Sequence, residues 1–475
     1  MAKDDGAPDH RLELAPEAMR AFGYAVIDAI VDRLANQPAL KVTTRRSRAE
    51  LDAMLWEAAP RGPGEPARVL GRAIEDVLAN CMIPSHPRFF AFVPGPSNFV
   101  GAMAESLAAG FNPFCGTWFE GSGAAEIEVL TIDWLRRAFG MPEGAGGLFV
   151  SGGSVANLTA LAAARHVMLD DHVEGAVAYG SALGHGSLDK AFHVLGFRPH
   201  QFRRLAVDND GRLKPAELER ALAADRAAGL RPFLIIANAG TTNTGAVDPL
   251  AELARLAEVH GLWLHVDGAY GAAAAFTARG RVLLDGLGLA HSVVVDPHKW
   301  LFQPYEMGAV LVRDMAWLGR AFASEPDYMQ DTAPKHRELN FCDHGIQLTR
   351  GFRALKLWMT IQVFGMDAIA AAIEHGMGLA EHAARLLDAD PRFEVVTRPS
   401  LGVVTFRYLP ANGMDVDAAN RRLVGALIED GFALATSTQI RGSTVLRFCT
   451  VNPRTMESDI AAVIERIAAL GQALA

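Results

Sequence analysis

The 475-residue chain has only four cysteines, Cys81, Cys115, Cys342 and Cys449, and none forms a Cys-x-x-Cys pair. That scatter argues against a disulfide framework and a cysteine zinc site, and it fits a reducing compartment. No metal is expected. No uninterrupted apolar stretch approaches the roughly 20 residues a membrane-spanning helix needs. The N-terminus, Met1-Ala2-Lys3-Asp4-Asp5, lacks the apolar segment of a secretory signal, so a cytoplasmic location and no membrane partner are the expectation. A formal net charge of −9, without a dense basic run carrying interleaved aromatics, argues against a nucleic-acid surface.

With 50% hydrophobic and 21% charged residues, the composition is that of an ordinary globular protein. Its length exceeds the roughly 250 to 300 residues at which a single core stops growing, so one large and one small domain are expected. From Pro16 to about Asn36, Met19, Phe22, Val26, Ile27, Ile30 and Leu34 recur at helical spacing. This amphipathic arm packs either on a second subunit or on its own main domain.

Between Gly147 and Val312, short apolar runs alternate with helical segments: 148–150, 176–179, 233–237, 263–267, 292–295 and 309–312. Such alternation predicts a mainly parallel sheet covered on both faces, an α/β fold. One helix is marked by Asp248 as its cap, Pro249 in its first turn, Leu250, Leu253 and Leu256 on its apolar side, and Gly261 at its end. After about Ala370 the pattern becomes that of a smaller α+β unit. The expected division is an N-terminal helical arm over 1–83, a large domain over 84–370 and a small domain over 371–475.

Ligands of open α/β sheets bind at the carboxyl ends of the strands, and several polar groups fall there. Lys299, in Asp296-Pro297-His298-Lys299-Trp300, follows the run Val293-Val294-Val295. A lysine so placed must find a counter-charge or lose its proton, and a neutral amine attacks aldehydes to form a Schiff base. A strand-end lysine that simply extends to solvent is the alternative. Asp267, ending Trp263-Leu264-His265-Val266-Asp267, either caps a turn or keeps a ring nitrogen protonated. Ser151-Gly152-Gly153-Ser154 leads from a strand into a helix, which suits an anion at the helix N-terminus or a plain turn. It is neither a Gly-x-Gly-x-x-Gly nor a Walker sequence, so a dinucleotide or nucleoside triphosphate is not its natural ligand. His185 in a glycine-flanked loop and Thr241 after 233–237 complete the set.

In this order and combination, the motifs from about Pro84 to Arg454 resemble the pyridoxal-phosphate-dependent group II decarboxylases. They are most similar to the aromatic-L-amino-acid decarboxylase and histidine decarboxylase branch. The resemblance implies a type I pyridoxal-phosphate (aspartate aminotransferase-like) fold in a homodimer with shared active sites. It implies pyridoxal 5'-phosphate as cofactor, with Lys299 as the internal aldimine lysine and Asp267 paired with the pyridinium nitrogen. His185 then stacks on the ring, Ala269 packs on its other face, and Thr241 lies near the ring or the substrate carboxylate. Gly153, Ser154, Ser292 and His298 match phosphate-side positions. Phe92 and Pro94, in His86-Pro87-Arg88-Phe89-Phe90-Ala91-Phe92-Val93-Pro94, match a substrate-pocket segment, and Phe114 and Trp118 match one lent by the partner subunit.

An apolar, aromatic wall suits an aromatic amino acid better than glutamate, which calls for a positioned cation. The implied reaction is decarboxylation of a tyrosine-, dopa-, phenylalanine-, tryptophan- or histidine-type substrate to the amine. Tyr328, in a polar stretch long enough for a lid, matches the tyrosine to which the family assigns reprotonation of the quinonoid. Related aldehyde synthases tend to carry phenylalanine there, so an aldehyde synthase is the first alternative and a non-catalytic dimeric binding protein the second. Two positions depart from the family pattern. Thr349 stands where aromatic decarboxylases often have glycine and histidine- or phenol-preferring relatives serine, and Phe92 replaces a frequent tyrosine.

Overall fold

The computed structural model describes residues 12–324, 337–411 and 413–474. Seven strands form the larger sheet: β1 (Gly146–Val150), β2 (Ala176–Ser181), β3 (Phe202–Leu205), β4 (Arg231–Asn238), β5 (Trp263–Asp267), β6 (Ser292–Val295) and β7 (Gly308–Val312). Their order is β1-β7-β6-β5-β4-β2-β3. β2 to β6 pair in parallel, while β7 runs antiparallel to both β1 and β6. β1 therefore points the same way as β6, and five carboxyl ends that carry polar turns share one edge.

Alternation along these strands feeds two apolar layers. Phe149, Val293 and Val295 face one cluster, whereas Leu148, Val150 and Val294 face the other. A sheet buried on both faces needs near-continuous apolar runs, which is why Val293-Val294-Val295 carries no polar residue. Short β3 was not among the expected runs: its Phe202-Arg203-Arg204-Leu205 is half polar because it is the edge strand.

The second sheet, antiparallel, comprises β8 (Phe393–Thr397), β9 (Val403–Tyr408), β10 (Thr436–Ile440) and β11 (Ser443–Cys449), in the order β10-β11-β9-β8. Helices Met366–Ala389, Val416–Asp430 and Glu457–Ala473 cover it around Val404, Phe406, Leu446 and Phe448, and Phe90 joins that core. Tyr270 ties the two sheets together. Its ring stacks on Trp300 at 5.1 Å, and its hydroxyl accepts from the Gly402 amide at 2.7 Å.

The N-terminal helix forms as expected, Pro16–Asn36, yet no residue on it is fully buried, and Met19, Phe22, Ile27 and Val31 are exposed. Asp248 departs from its expected role. The helix it was to cap begins at Leu250 with Pro249 before it, while the Asp248 carboxylate turns inward. There it accepts from the Leu213 amide at 2.6 Å and the Asn238 amide at 2.7 Å. Two buried backbone amides need an acceptor in a dry interior, and that need outweighs the cap. Burial raises the Asp248 pKa against those bonds. Gly261, at φ +64°, ends that helix in the left-handed conformation.

Candidate active site

A cavity of about 320 Å³ opens on the shared strand edge and brings together Gly153, Ser154, His185, Thr241, Asp267, Ala269, His298 and Lys299. They arrive from five strand ends, so the pairing of those strands is what gathers them. Ser151 and Gly152 join β1 to the 17-residue helix Gly153–Leu169, which Gly153 and Ser154 begin. The first amides of a helix have no intrahelical partners, and its dipole favours an anion there. At Gly153 an added Cβ would sit 2.8 Å from Asp296 Oδ2 and 3.2 Å from the Ala269 Cβ. Only glycine leaves that backbone open to the cavity.

Lys299 finds a counter-charge rather than losing its proton: its Nζ lies 2.9 Å from Asp296 Oδ2. Burial pulls the ammonium pKa down, but the charge and hydrogen bond of Asp296, with Asp267 behind it, more than offset this and hold it above the usual lysine range. Asp296 Oδ1 is buried and unpartnered. Such a group asks for a donor, and none reaches it among the described residues. His298 accepts from the Met307 amide at Nδ1, 3.2 Å, and burial lowers its pKa, so the ring is neutral.

The Asp267 carboxylate is held at both oxygens: Ala269 N donates to Oδ1 at 3.2 Å and Asn157 Nδ2 to Oδ2 at 3.0 Å. His185 Nδ1 accepts from the Ser187 amide at 3.2 Å and lies 2.8 Å from the Ser187 hydroxyl. Thr241 pairs with Thr244 through their hydroxyls at 2.9 Å.

Ser292 is not where it was expected. It begins β6 at the strand's amino end, fully buried outside the cavity, with Trp263 Nε1 and His265 Nδ1 each 2.8 Å from its hydroxyl. A four-residue strand separates it from the carboxyl edge, so it cannot line the phosphate side. Phe92, Pro94, Phe114, Trp118 and Thr349 also stand outside the Lys299 cavity. Phe92 and Pro94 precede Gly95, which approaches the cavity residue His298. A Cβ at Gly95 would meet the Tyr305 phenol at 2.6 Å and the His298 carbonyl at 2.8 Å. Phe92, 55% exposed, adopts φ +56°, held by Arg447 Nη1 donating to its carbonyl at 2.7 Å. Phe114 and Trp118 belong instead to a segment tied to 340–350. Trp118 N donates to Asn340 Oδ1 at 2.9 Å, and Arg350 Nη1 donates to the Cys115 carbonyl at 3.2 Å. Exposed Thr349 adjoins this segment. Tyr328 lies outside the described residues.

Sequence reading missed Asn157, Ser187, Asn238, Asp296 and Glu306, which also line the cavity. Some signals were available. Asn157 is one helical turn beyond Gly153, Ser187 is two residues beyond His185, and Asp296 precedes Lys299 by three. The orphaned Asp296 oxygen, the glycine-open helix N-terminus, the carboxylate of Asp267 and the amine of Lys299 form one donor set. It fits a compact ligand with a phosphate, a basic ring nitrogen and an aldehyde.

Comparison with known proteins agrees. The model of the pyridoxal-dependent decarboxylase conserved domain matches residues 50–409. The chain belongs to the pyridoxal-dependent decarboxylase family. It is a pyridoxal-phosphate-dependent decarboxylase with an α/β type I fold. It is 42% identical over 465 residues to an aromatic-L-amino-acid decarboxylase of Bacillus atrophaeus, covering 97% of each chain. It is 31% identical to a phenylacetaldehyde synthase of Arabidopsis thaliana, covering 94% of each. Among solved structures, that of Oryza sativa TDC with PLP and tryptamine superposes with a TM-score of 0.91 at 28% identity, covering 97% of this chain and 99% of that one.

Proposed function

We propose that this decarboxylase acts on an aromatic L-amino acid and releases the amine and carbon dioxide. The observation that carries the reading is Lys299 paired with Asp296 in a cavity whose far wall is the Asp267 carboxylate. The 42% identity to an aromatic-L-amino-acid decarboxylase supports the substrate class. Bound pyridoxal phosphate supplies an electron sink for the pair left when carbon dioxide departs. The amides of Gly153 and Ser154, with the Ser154 hydroxyl and neutral His298, hold its phosphate, and Asp267 holds a proton at its ring nitrogen. His185 and Ala269, which line the same cavity, would confine the bound ring. Asp296 keeps the Lys299 ammonium in reach until it gives up its proton, and Thr241 donates toward the substrate carboxylate.

Tyr328 is the residue we assign to returning a proton to the α-carbon, which favours the amine over the aldehyde. Phe92, Pro94, Phe114, Trp118 and Thr349 form the substrate wall in a homodimer with shared sites. Two features support that assembly. The N-terminal helix leaves Met19, Phe22, Ile27 and Val31 exposed, and Phe111 and Phe119 are 83% and 73% exposed beside the segment carrying Phe114 and Trp118.

Incubation of the holoenzyme with tyrosine, dopa, phenylalanine, tryptophan and histidine, with amine and carbon dioxide measured, tests the substrate class; no amine from any of them removes it. Oxygen uptake with ammonia and peroxide release would favour the aldehyde reading that the Arabidopsis relative's name brings to mind. Tyr328→Phe should move product from amine toward aldehyde.

A further inference from the structure

Behind the cavity, five buried side chains make hydrogen bonds whose direction is fixed. Asp267 as a carboxylate only accepts, so Asn157 must present its amide nitrogen to Oδ2, 3.0 Å away, and its carbonyl oxygen to the other side. That oxygen lies 2.9 Å from His265 Nε2, which therefore carries a hydrogen. His265 is wholly buried, and burial pushes its pKa down to about 4 despite Asp267, so the ring is neutral and Nδ1 can only accept. Its donor is the Ser292 hydroxyl at 2.8 Å, whose oxygen accepts from Trp263 Nε1 at 2.8 Å. An indole N–H only donates. The row thus begins at a group that cannot accept, ends at one that cannot donate, and runs one way. Asn157 Nδ2 also reaches the Ser187 hydroxyl at 3.0 Å, which leads to His185 Nδ1 at 2.8 Å. One amide therefore orients both cavity residues.

We propose that Trp263, Ser292, His265 and Asn157 are positioning residues. They lock the Asp267 carboxylate and the His185 ring in the orientation that the cofactor ring requires. The inference rests on the reading of Asp267 as the partner of the ring nitrogen. An asparagine amide has nearly the same shape when turned over, so sterics alone do not choose its orientation. The neutral His265 donor does. Without it, Asn157 is free to set a carbonyl oxygen against the carboxylate, and Asp267 must turn away.

The test compares two ligands of one shape: pyridoxal phosphate and its 1-deaza analogue, a carbocycle without the ring nitrogen. Their dissociation constants from the apoprotein are measured for wild type, Asp267→Asn, Ser292→Ala, His265→Phe and His265→Gln, with apoprotein melting as the control for folding. Ser292→Ala and His265→Phe should weaken pyridoxal phosphate about ten- to a hundredfold, the loss of one charge-assisted hydrogen bond. They should weaken the analogue, which keeps only the His185 contact, less than pyridoxal phosphate. His265→Gln, which keeps an amide donor toward Asn157, should bind both as wild type does. Equal weakening of both ligands, or none of either, overturns the proposal. If Asp267→Asn itself does not discriminate between the ligands, the reading of Asp267 falls and the proposal with it. If it discriminates and Ser292→Ala does not, the proposal alone falls. Should His265→Phe not fold, Ser292→Ala, which removes one oxygen, carries the test.

Discussion

The wall around Lys299 and the set of aromatic residues meant for the substrate differ in how they are held. Asp267, Asp296 and Asn157 are buried and fixed by bonds from strands and turns of one chain, and exposed His185 is held through Ser187. Phe92 is half exposed, and Phe114, Trp118 and Thr349 lie on a separate segment beside exposed apolar side chains. Chemistry common to all substrates requires rigid atoms, and parallel strand ends supply them within one fold. Recognition of one side chain needs only a fitted surface. We assign that surface to the joint between two copies, where residues can vary without disturbing the sheet.

Four measurements break or sharpen this contrast. The largest effect is expected for Lys299→Ala, which should lose the visible absorption of bound cofactor and reduce kcat/KM by about 10³-fold or more. Residual turnover near wild type would remove Lys299 from its role. Next, Trp118→Asp should lower kcat/KM by about 10²-fold, in the range expected when a fitted apolar contact is destroyed. Co-expressing it with Lys299→Ala should restore about one quarter of wild-type activity, since half of randomly paired dimers carry one intact shared site. Failure to complement would place Trp118 in the site of its own chain.

Thr349→Gly, which removes three side-chain heavy atoms, should act more gently, shifting preference toward larger rings by about 10-fold. An unchanged substrate ranking would take Thr349 out of the wall. The fourth effect is on stability rather than on turnover. His86, His265 and His291 all have pKa values pushed down to about 4 by burial. Each binds its proton more readily unfolded, near pH 6.5, so their stability contribution is complete above that pH. It is lost as pH falls from about 6.5 toward 4. Denaturation midpoints at pH 7, 5.5 and 4.5 should fall progressively, with bound cofactor lost in the same transition. A midpoint unaffected by acid would mean that these rings are not held neutral.

Much of this was legible in the chain. The run Val293-Val294-Val295 followed by Asp296-Pro297-His298-Lys299 marked both the buried strand and the ligand edge, because an apolar run can end in charge only where the sheet ends. Gly152-Gly153-Ser154 marked the glycine-open helix N-terminus that lines the cavity. Ser292 was misread because proximity in sequence to Lys299 does not reveal which end of a short strand a residue occupies. Asp248 looked like a cap because local pattern cannot show which distant amides lack an acceptor. Asn157 carried no motif at all. Its role exists only because helix 153–169 lies against β5, bringing together residues 108 and 110 positions apart.

By itself, then, the sequence determined the strand alternation, the polar residues that end each strand, and the combination of motifs that marks the family. These are local matters, set by periodicity and by the conformational demands of glycine and proline. Only the tertiary structure decided that Asp296 neutralises Lys299, that Ser292 serves His265 rather than a phosphate, and that one amide holds Asp267 and His185 together. Charge pairing and hydrogen-bond direction depend on distances between groups far apart in the chain, and folding alone sets those distances.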